Sequence, residues 1–249
     1  MSTSDNVGAM DTPSATWRDE WPTNWHVRVV DETGSTNADL LAEAAAGAPD
    51  RSVLAARHQT AGRGRLDRRW EAPAGTNLLV SLLFREVPDH LHELTQRVAL
   101  AAMAACHELA GVRPTLKWPN DLLLHDRKLA GVLAQTGGAG RVDFVVVGIG
   151  INVGWAPEES AMLGTQYRPA DLLHALLVSY DLLPADCWPA YRDALATVGR
   201  EVRVELPGGE VLGRALDVER DGRLVVLDEC GITHRFDSGD VVHLRSPRA

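Results

Sequence analysis

The sequence predicts an α+β fold: a domain of helices and a mixed set of strands at about 25–198, followed by a small β-barrel at 199–249. Three observations lead there. Apolar runs of strand length, TNLLVSLLF at 76–84 and VDFVVVG at 142–148, mark central strands of a sheet. Segments of helical periodicity lie between and around them, above all at 91–110. After Gly199 the chain turns to short strands broken by tight turns such as PGG and RDG, the signature of a barrel of about 50 residues.

The elements follow in order. Residues 1–24 begin rich in Ser, Thr and Asp, which predicts a disordered or arm-like N-terminus, with Trp17, Trp21 and Trp25 packing the arm onto the domain. HVRVVD at 26–31 reads as a strand. The turn ETGS leads to a helix over 36–46 closed by Gly47, with Ser35 or Thr36 as its N-cap. A short strand at 53–57 runs into an arginine-rich loop, and the strand at 76–84 follows it. The helix at 91–110 ends at Gly111. Short strands at 115–118 and 122–124 flank a Pro119–Asn120 turn, and HDR joins the second to KLAGVLAQT as a hairpin. GIGIN comes after the strand at 142–148, and helices are expected over 170–182 and 188–197.

Charge narrows the function. The formal net charge of −9 argues against a general nucleic-acid binder, which shows a broad basic face. Cys106, Cys187 and Cys230 are scattered and odd in number, which fits a reducing compartment better than a disulfide framework. No apolar run is long enough to span a membrane. These traits predict a cytoplasmic protein. The chain has 23 arginines but only two lysines, Lys117 and Lys128, both in the segment KWPNDLLLHDRK. A guanidinium is a planar fork and an ammonium a compact point charge, so lysines that survive such a bias mark places where arginine does not serve.

Positive charge is concentrated instead in AGRGRLDRRW, residues 61–70, where four arginines sit in ten positions. In extended backbone Arg63 and Arg65 would share a face, with Gly62 and Gly64 on the other letting a ligand approach the main-chain N–H groups. Trp70 supplies a flat surface. Together they suit a phosphate-bearing ligand with a planar base. In KWPND a Pro–Asn turn would hold Asn120 and Asp121 at a strand edge, within reach of a ligand or Mg²⁺. Alternation along KLAGVL would put Lys128 and Ala130 on one face and Gly131 on the other. GIGINVG at 148–154 departs from a dinucleotide fingerprint at Val153, and its glycines instead suggest a strand end passing beneath a ligand. No Ser/His/Asp or Cys/His set stands out, and His90 and His92 lack zinc-ligand spacing. Cations without a nucleophile point to charge stabilisation of phosphate.

In order, GSTN, QTAGRGRLDRRW, KWPNDLLL, RKLAGVL and GIGIN resemble the motif series of biotin protein ligases, from about residue 25 to the C-terminus. The resemblance implies a catalytic domain similar to class II aminoacyl-tRNA synthetases, with a mixed sheet, and an SH3-like C-terminal domain. It implies ATP-dependent activation of biotin to biotinyl-5′-AMP, then transfer to one lysine of a biotin carboxyl carrier domain of a biotin-dependent carboxylase such as acetyl-CoA carboxylase. By the same resemblance Lys128 and Arg65 are catalytic and hold the carboxylate and α-phosphate. Ser35, Thr36, Gln59, Gly62, Arg63 and Gly131 join them around biotin. Arg65, Arg68, Trp70, Lys117, Asn120 and Asn152 serve the nucleotide, and Asp121 the metal, Mg²⁺.

There are two departures from the family pattern. Asp67 stands at the third glycine of the more familiar GRGRxGR, which puts loop closure over 57–75 in question. Residues 1–25 offer no DNA-binding domain, so the resemblance is to the monofunctional type, with no DNA binding and no membrane among the expected partners and a weak homodimer as the oligomer to test. The rival readings are a lipoate–protein ligase, whose motifs differ from GRGR and KWPND, a non-catalytic biotin or nucleotide sensor, and an RNA-binding protein using the barrel.

Overall fold

The computed structural model describes residues 17, 18 and 20–244, with only the backbone of Asp67; the expectation for residues 1–16 lies outside the described residues. β1 (His26–Thr33) and β2 (Ser52–Gln59) pair in parallel, with α1 (Thr36–Ala45) between them in the chain. β3 (Leu78–Phe84) follows, then α2 (His92–Ala110), β4 (Thr115–Lys117), β5 (Asp121–Leu124), β6 (Arg127–Gly137) and β7 (Phe144–Ile151). The seven strands join in the order β1-β2-β3-β7-β6-β5-β4, antiparallel except for the first pair. The mixed sheet expected from the sequence is therefore present.

Alternation divides the sheet into two faces. Val145, Val147, Ile149 and Ile151 of β7 join the large core under α2 and α3 (Pro169–Asp181), with Trp25 at its edge. Burial of each such aliphatic side chain contributes about 1.5–3 kcal/mol. Phe144 and Val146 face the other way, into a smaller core with Leu40 and Ala44 of α1. On that second face β7 continues as Gly148 and Gly150. The side chains shrink from phenylalanine to nothing along one row, and the space so left becomes the site described below.

The sequence ends this strand at Gly148, whereas β7 runs on through Gly150 to Ile151. The reason is pairing on both sides: Gly148 lies opposite Ser81 and Leu133, and Gly150 opposite Leu79 and Gly131. A ladder closed on two edges holds glycine as well as valine. The helix expected over 188–197 also stops early, as α4 (Trp188–Ala194). There the chain turns to pair with β4: Leu195 bridges Leu116, and Ala196 N–H donates to Leu116 O at 2.8 Å.

β8 (Glu201–Leu206), β9 (Gly209–Val218), β10 (Leu224–Asp228), β11 (Thr233–Phe236) and β12 (Asp240–His243) form a five-stranded antiparallel sheet in the order β11-β10-β9-β8-β12. Trp118, 2% exposed, ties this C-terminal sheet to the β4–β5 turn. Its Nε1–H donates to Gly222 O at 2.9 Å and its N–H to Thr197 Oγ1 at 3.0 Å.

Candidate active site

A cavity of about 240 Å³ opens where β7 and β6 carry no side chains on the α1 face. Gly131 and Gly150 are directly opposed and make its floor. Ser35, at the N-cap of α1, makes no capping bond through its side chain and lines the cavity instead. Thr36 offers its N–H at 2.7 Å and its Oγ1 at 3.0 Å to Gln59 Oε1, so strand β2 and helix α1 meet at one buried polar wall. Behind it Ser81 Oγ reaches Asn37 Oδ1 at 2.6 Å, while Asn37 Nδ2 donates to Leu133 O and Gln135 Oε1. A Cβ at Gly148 would lie 2.2 Å from Asn37 Oδ1, so only glycine leaves room for that amide. The floor is neutral, polar and internally hydrogen-bonded, suited to a compact amide- or urea-like group.

Lys128 enters from the opposite wall. Simple alternation pairs it with Ala130 and opposes it to Gly131. The structure reverses this: Lys128 and Gly131 both line the cavity, and Ala130 is buried in the core. A β-bulge is the cause. β5 pairs Leu122 with Ala130 but Leu123 with Lys128, so one extra residue of β6 shifts the phase. The ammonium then lies 2.7 Å from Asp121 Oδ1 and 5.7 Å from the centroid of the Trp70 ring.

The arginine segment folds over this floor as a small hairpin rather than an extended strand. Arg63 bridges Arg69, Gly64 N–H donates to Arg68 O at 2.7 Å, and Trp70 N–H to Gly62 O at 3.0 Å. A 3₁₀ turn spans Arg65–Asp67, and the left-handed residue in it is Leu66 (φ 54°), not Asp67. The turn thus takes its left-handed residue one position before Asp67, whose side chain lies outside the described residues. Gly62 does not face the cavity; a Cβ there would lie 2.4 Å from the Trp70 carbonyl, so it serves the hairpin's own closure. Trp70 lies against the floor: a Cβ at Gly150 would meet its Cε2 at 2.5 Å, and one at Gly131 its Cζ3 at 3.3 Å.

The hairpin is fastened to the C-terminal sheet. Arg65 Nη1 donates to Asn120 Oδ1 at 3.3 Å and to Gly239 O at 3.2 Å, and Arg68 forms an ion pair with Asp240. Burial draws the Arg65 pKa below its ordinary value, Asp240 and Asp121 act to raise it, and Arg68 adds to the lowering. At any physiological pH the guanidinium stays charged.

Of the residues expected at the site, Ser35, Thr36, Gln59, Arg63, Arg65, Arg68, Trp70, Asn120, Asp121, Lys128, Gly131 and Asn152 all line this cavity. Lys117 does not. It lines a small crevice next door with Asn120 and Asp121, where its charge helps lower the pKa of His243. Asn37, Asn77, Ser81 and Asp240 escaped the sequence reading. The first three sit as polar residues inside apolar or helical runs, which is a usable signal; Asp240 is brought in only by the tertiary fold. Among the described residues no group of three or more His, Cys, Asp or Glu converges as a metal set. Asp121 Oδ1 is buried and paired with Lys128 Nζ at 2.7 Å, and as a lone carboxylate oxygen among cations it fits a single contact to a metal ion completed by phosphates.

Comparison with known proteins agrees with this arrangement. Residues 29–152 match the biotin/lipoate A/B protein ligase family, and residues 197–244 match the biotin protein ligase C terminal domain. A biotin--[acetyl-CoA-carboxylase] ligase of Mycobacterium tuberculosis is 41% identical over 240 residues, covering 87% of this chain and 88% of that protein. A bifunctional ligase/repressor of Escherichia coli is 27% identical over 86% of this chain and 71% of its own length. The biotin protein ligase of Aquifex aeolicus, solved in complex with biotin and ATP, superposes with a TM-score of 0.75 at 26% identity, over 89% of this chain and 99% of that one. A mixed sheet with a glycine floor, a lysine aimed by a bulge and an arginine hairpin fastened to an antiparallel C-terminal sheet thus occurs in a chain that belongs to the biotin protein ligase family.

Proposed function

We propose that this chain activates biotin with ATP, forming biotinyl-5′-AMP and pyrophosphate, and transfers the biotinyl group to a lysine of a carboxylase carrier domain. The observation that carries the reading is convergence: Lys128 and Arg65 meet in one cavity whose floor is neutral and hydrogen-bonding. In the first step a biotin carboxylate oxygen bonds to the α-phosphorus as the bond to the departing pyrophosphate breaks. Lys128 and Arg65 hold the carboxylate and the α-phosphate, whose charge they stabilise while it moves outward. Ser35, Thr36 and Gln59 receive the ring system of biotin over Gly131. Arg63 lies close to that ring system, and Arg68, Asn120, Asn152 and Trp70 serve the nucleotide.

Asp121 would offer one oxygen to a magnesium ion, which would supply neutralisation of the triphosphate charge. In the second step the carrier amine attacks the acyl carbon, AMP leaves with the electron pair, and the nitrogen loses a proton as the amide forms. A hairpin that shields the mixed anhydride from water protects it between the steps. Finer expectations belong to the same reading: a synthetase-like catalytic domain at 25–198, an SH3-like barrel at 199–249, a cytoplasmic location, no DNA binding and a weak homodimer. No helix among the described residues is long and apolar enough to cross a membrane.

The test is incubation with ATP, Mg²⁺ and biotin, with lipoate in parallel. Pyrophosphate release that depends on biotin is expected; release with lipoate alone, or with neither, overturns the reading.

A further inference from the structure

Behind Lys128 lies a chain of two buried amides. Asn77, 1% exposed, sits just before β3. Its Oδ1 accepts from Val153 N–H at 3.0 Å and Trp155 N–H at 3.2 Å, and its Nδ2 donates to Asn152 Oδ1 at 3.2 Å. Asn152, 3% exposed, donates from Nδ2 to Ala161 O at 3.0 Å and to Lys128 O at 3.5 Å. Two main-chain donors complete the group: Ala161 N–H reaches Lys128 O at 2.8 Å, and Asn152 N–H reaches Leu129 O at 2.9 Å.

These contacts fall at the β-bulge. A bulge locally disrupts the ladder of its strand. At Lys128 and Leu129 the carbonyls are taken up by Asn152 and Ala161. A buried polar group without a partner is costly, so the amides have one favourable arrangement and hold the bulge in it. Asn152 thus joins this chain of amides to the cavity that it also lines.

We propose that Asn77 is a positioning residue: acting through Asn152, it fixes the backbone of Lys128 at the bulge and so sets where the ammonium stands in the cavity. This rests on the reading of Lys128 given above. It adds to a nucleotide contact at Asn152 a structural role that serves catalysis.

The variants are Asn77→Ala, Asn77→Asp, Asn152→Ala and the double variant Asn77→Ala/Asn152→Ala. Asn77→Asp keeps an acceptor for Val153 and Trp155 but puts a carboxylate oxygen against Asn152 Oδ1, so it removes the amide link alone. Displacing a catalytic group by about 1 Å costs on the order of a hundredfold. Each Asn77 variant is therefore expected to lower kcat for pyrophosphate release roughly ten- to a hundredfold, with the KM values for ATP and biotin little changed, whereas Asn152→Ala should lower kcat at least as far and raise the KM for ATP as well. The double variant should be no slower than Asn152→Ala. Near-wild-type kcat in an Asn77 variant that melts like the wild type overturns the proposal, as do losses that multiply in the double variant or a loss confined to the KM for ATP.

A second measurement does not depend on turnover. Lys117 and Lys128 are the chain's only lysines, so acetylation by an amine-reactive ester can be read at each by mass spectrometry. The Asn variants should change the Lys128-to-Lys117 labelling ratio severalfold, and an unchanged ratio counts against the proposal. Wild-type protein that releases no pyrophosphate with biotin would remove the functional reading, while the labelling ratio still decides the positioning claim.

Discussion

The floor and the hairpin of the cavity are built on opposite principles. The floor consists of β3, β6 and β7 with α1, where Asn37, Asn77, Ser81 and Asn152 are all under 7% exposed and linked to one another or to main chain. These four side chains carry no charge. The hairpin at 62–70 carries four arginines, and the Arg68 and Arg69 side chains are 65% and 70% exposed. Its fastenings reach the Gly239–Asp240 turn and Asn120, not the core. Neutral, buried amides recognise shape and hydrogen-bond pattern without demanding charge, and a substrate ring can rest there. Exposed guanidinium groups can change partners from protein carboxylate to phosphate at small cost. Selection and charge handling are thus assigned to regions of different rigidity.

The sharpest way to break that comparison is Lys128→Ala, which removes the one cation rooted in the floor side. Pyrophosphate release should fall at least on the order of a hundredfold, while the melting temperature stays near that of the wild type. Normal turnover would place the charge handling wholly in the hairpin. Gly148→Ala tests the floor's packing. The new methyl meets an amide held at both ends, so urea unfolding should show a loss of about 1–3 kcal/mol. An unchanged midpoint would mean that Asn37 moves freely.

The joint between the sheets adds a pH dependence. Burial first, then the charges of Arg200 and Lys117, hold the His243 pKa at about 4 against an ordinary value of 6.5. The unfolded chain therefore binds the proton more readily than the folded one. Stability from the neutral imidazole is complete above about 6.5 and is lost as pH falls from there towards about 4. Melting curves over that range should fall more steeply for the wild type than for His243→Gln, and parallel curves would remove His243 from the joint. The smallest stability effect is expected for Asp240→Asn. The pair with Arg68 is exposed, so stability should change by less than about 1 kcal/mol. Trypsin should nevertheless cut after Arg68 and Arg69 faster than in the wild type, and equal rates would show that the hairpin needs no such fastening.

Much of this was legible in the chain itself. Apolar runs, caps such as Gly111 and the ordered motifs located most of the strands and helices and most of the cavity's lining. What could not be read had specific causes. The face of Lys128 depends on a bulge, and period-two reasoning counts residues without knowing where a partner strand slips. Lysine scarcity marked Lys128, which lines the cavity, and equally Lys117, which lies at the joint with the C-terminal sheet. Glycines read as access for a ligand proved to have separate tasks: Gly62 admits the Trp70 carbonyl, and Gly148 admits Asn37. Asp240 carries no local mark of function; only the tertiary fold sets it beside Arg68.

That last contact spans 172 positions, and the one from Arg65 to Gly239 spans 174. During synthesis the amino-terminal part of a chain is available to fold first, long before its distant partners leave the ribosome. The arginines must therefore wait for about 240 residues to be made before their tether exists. A nascent or prematurely terminated product could shape its pocket yet could not latch it, so any acyl-phosphate formed there would lie open to water, and only the finished chain can keep it.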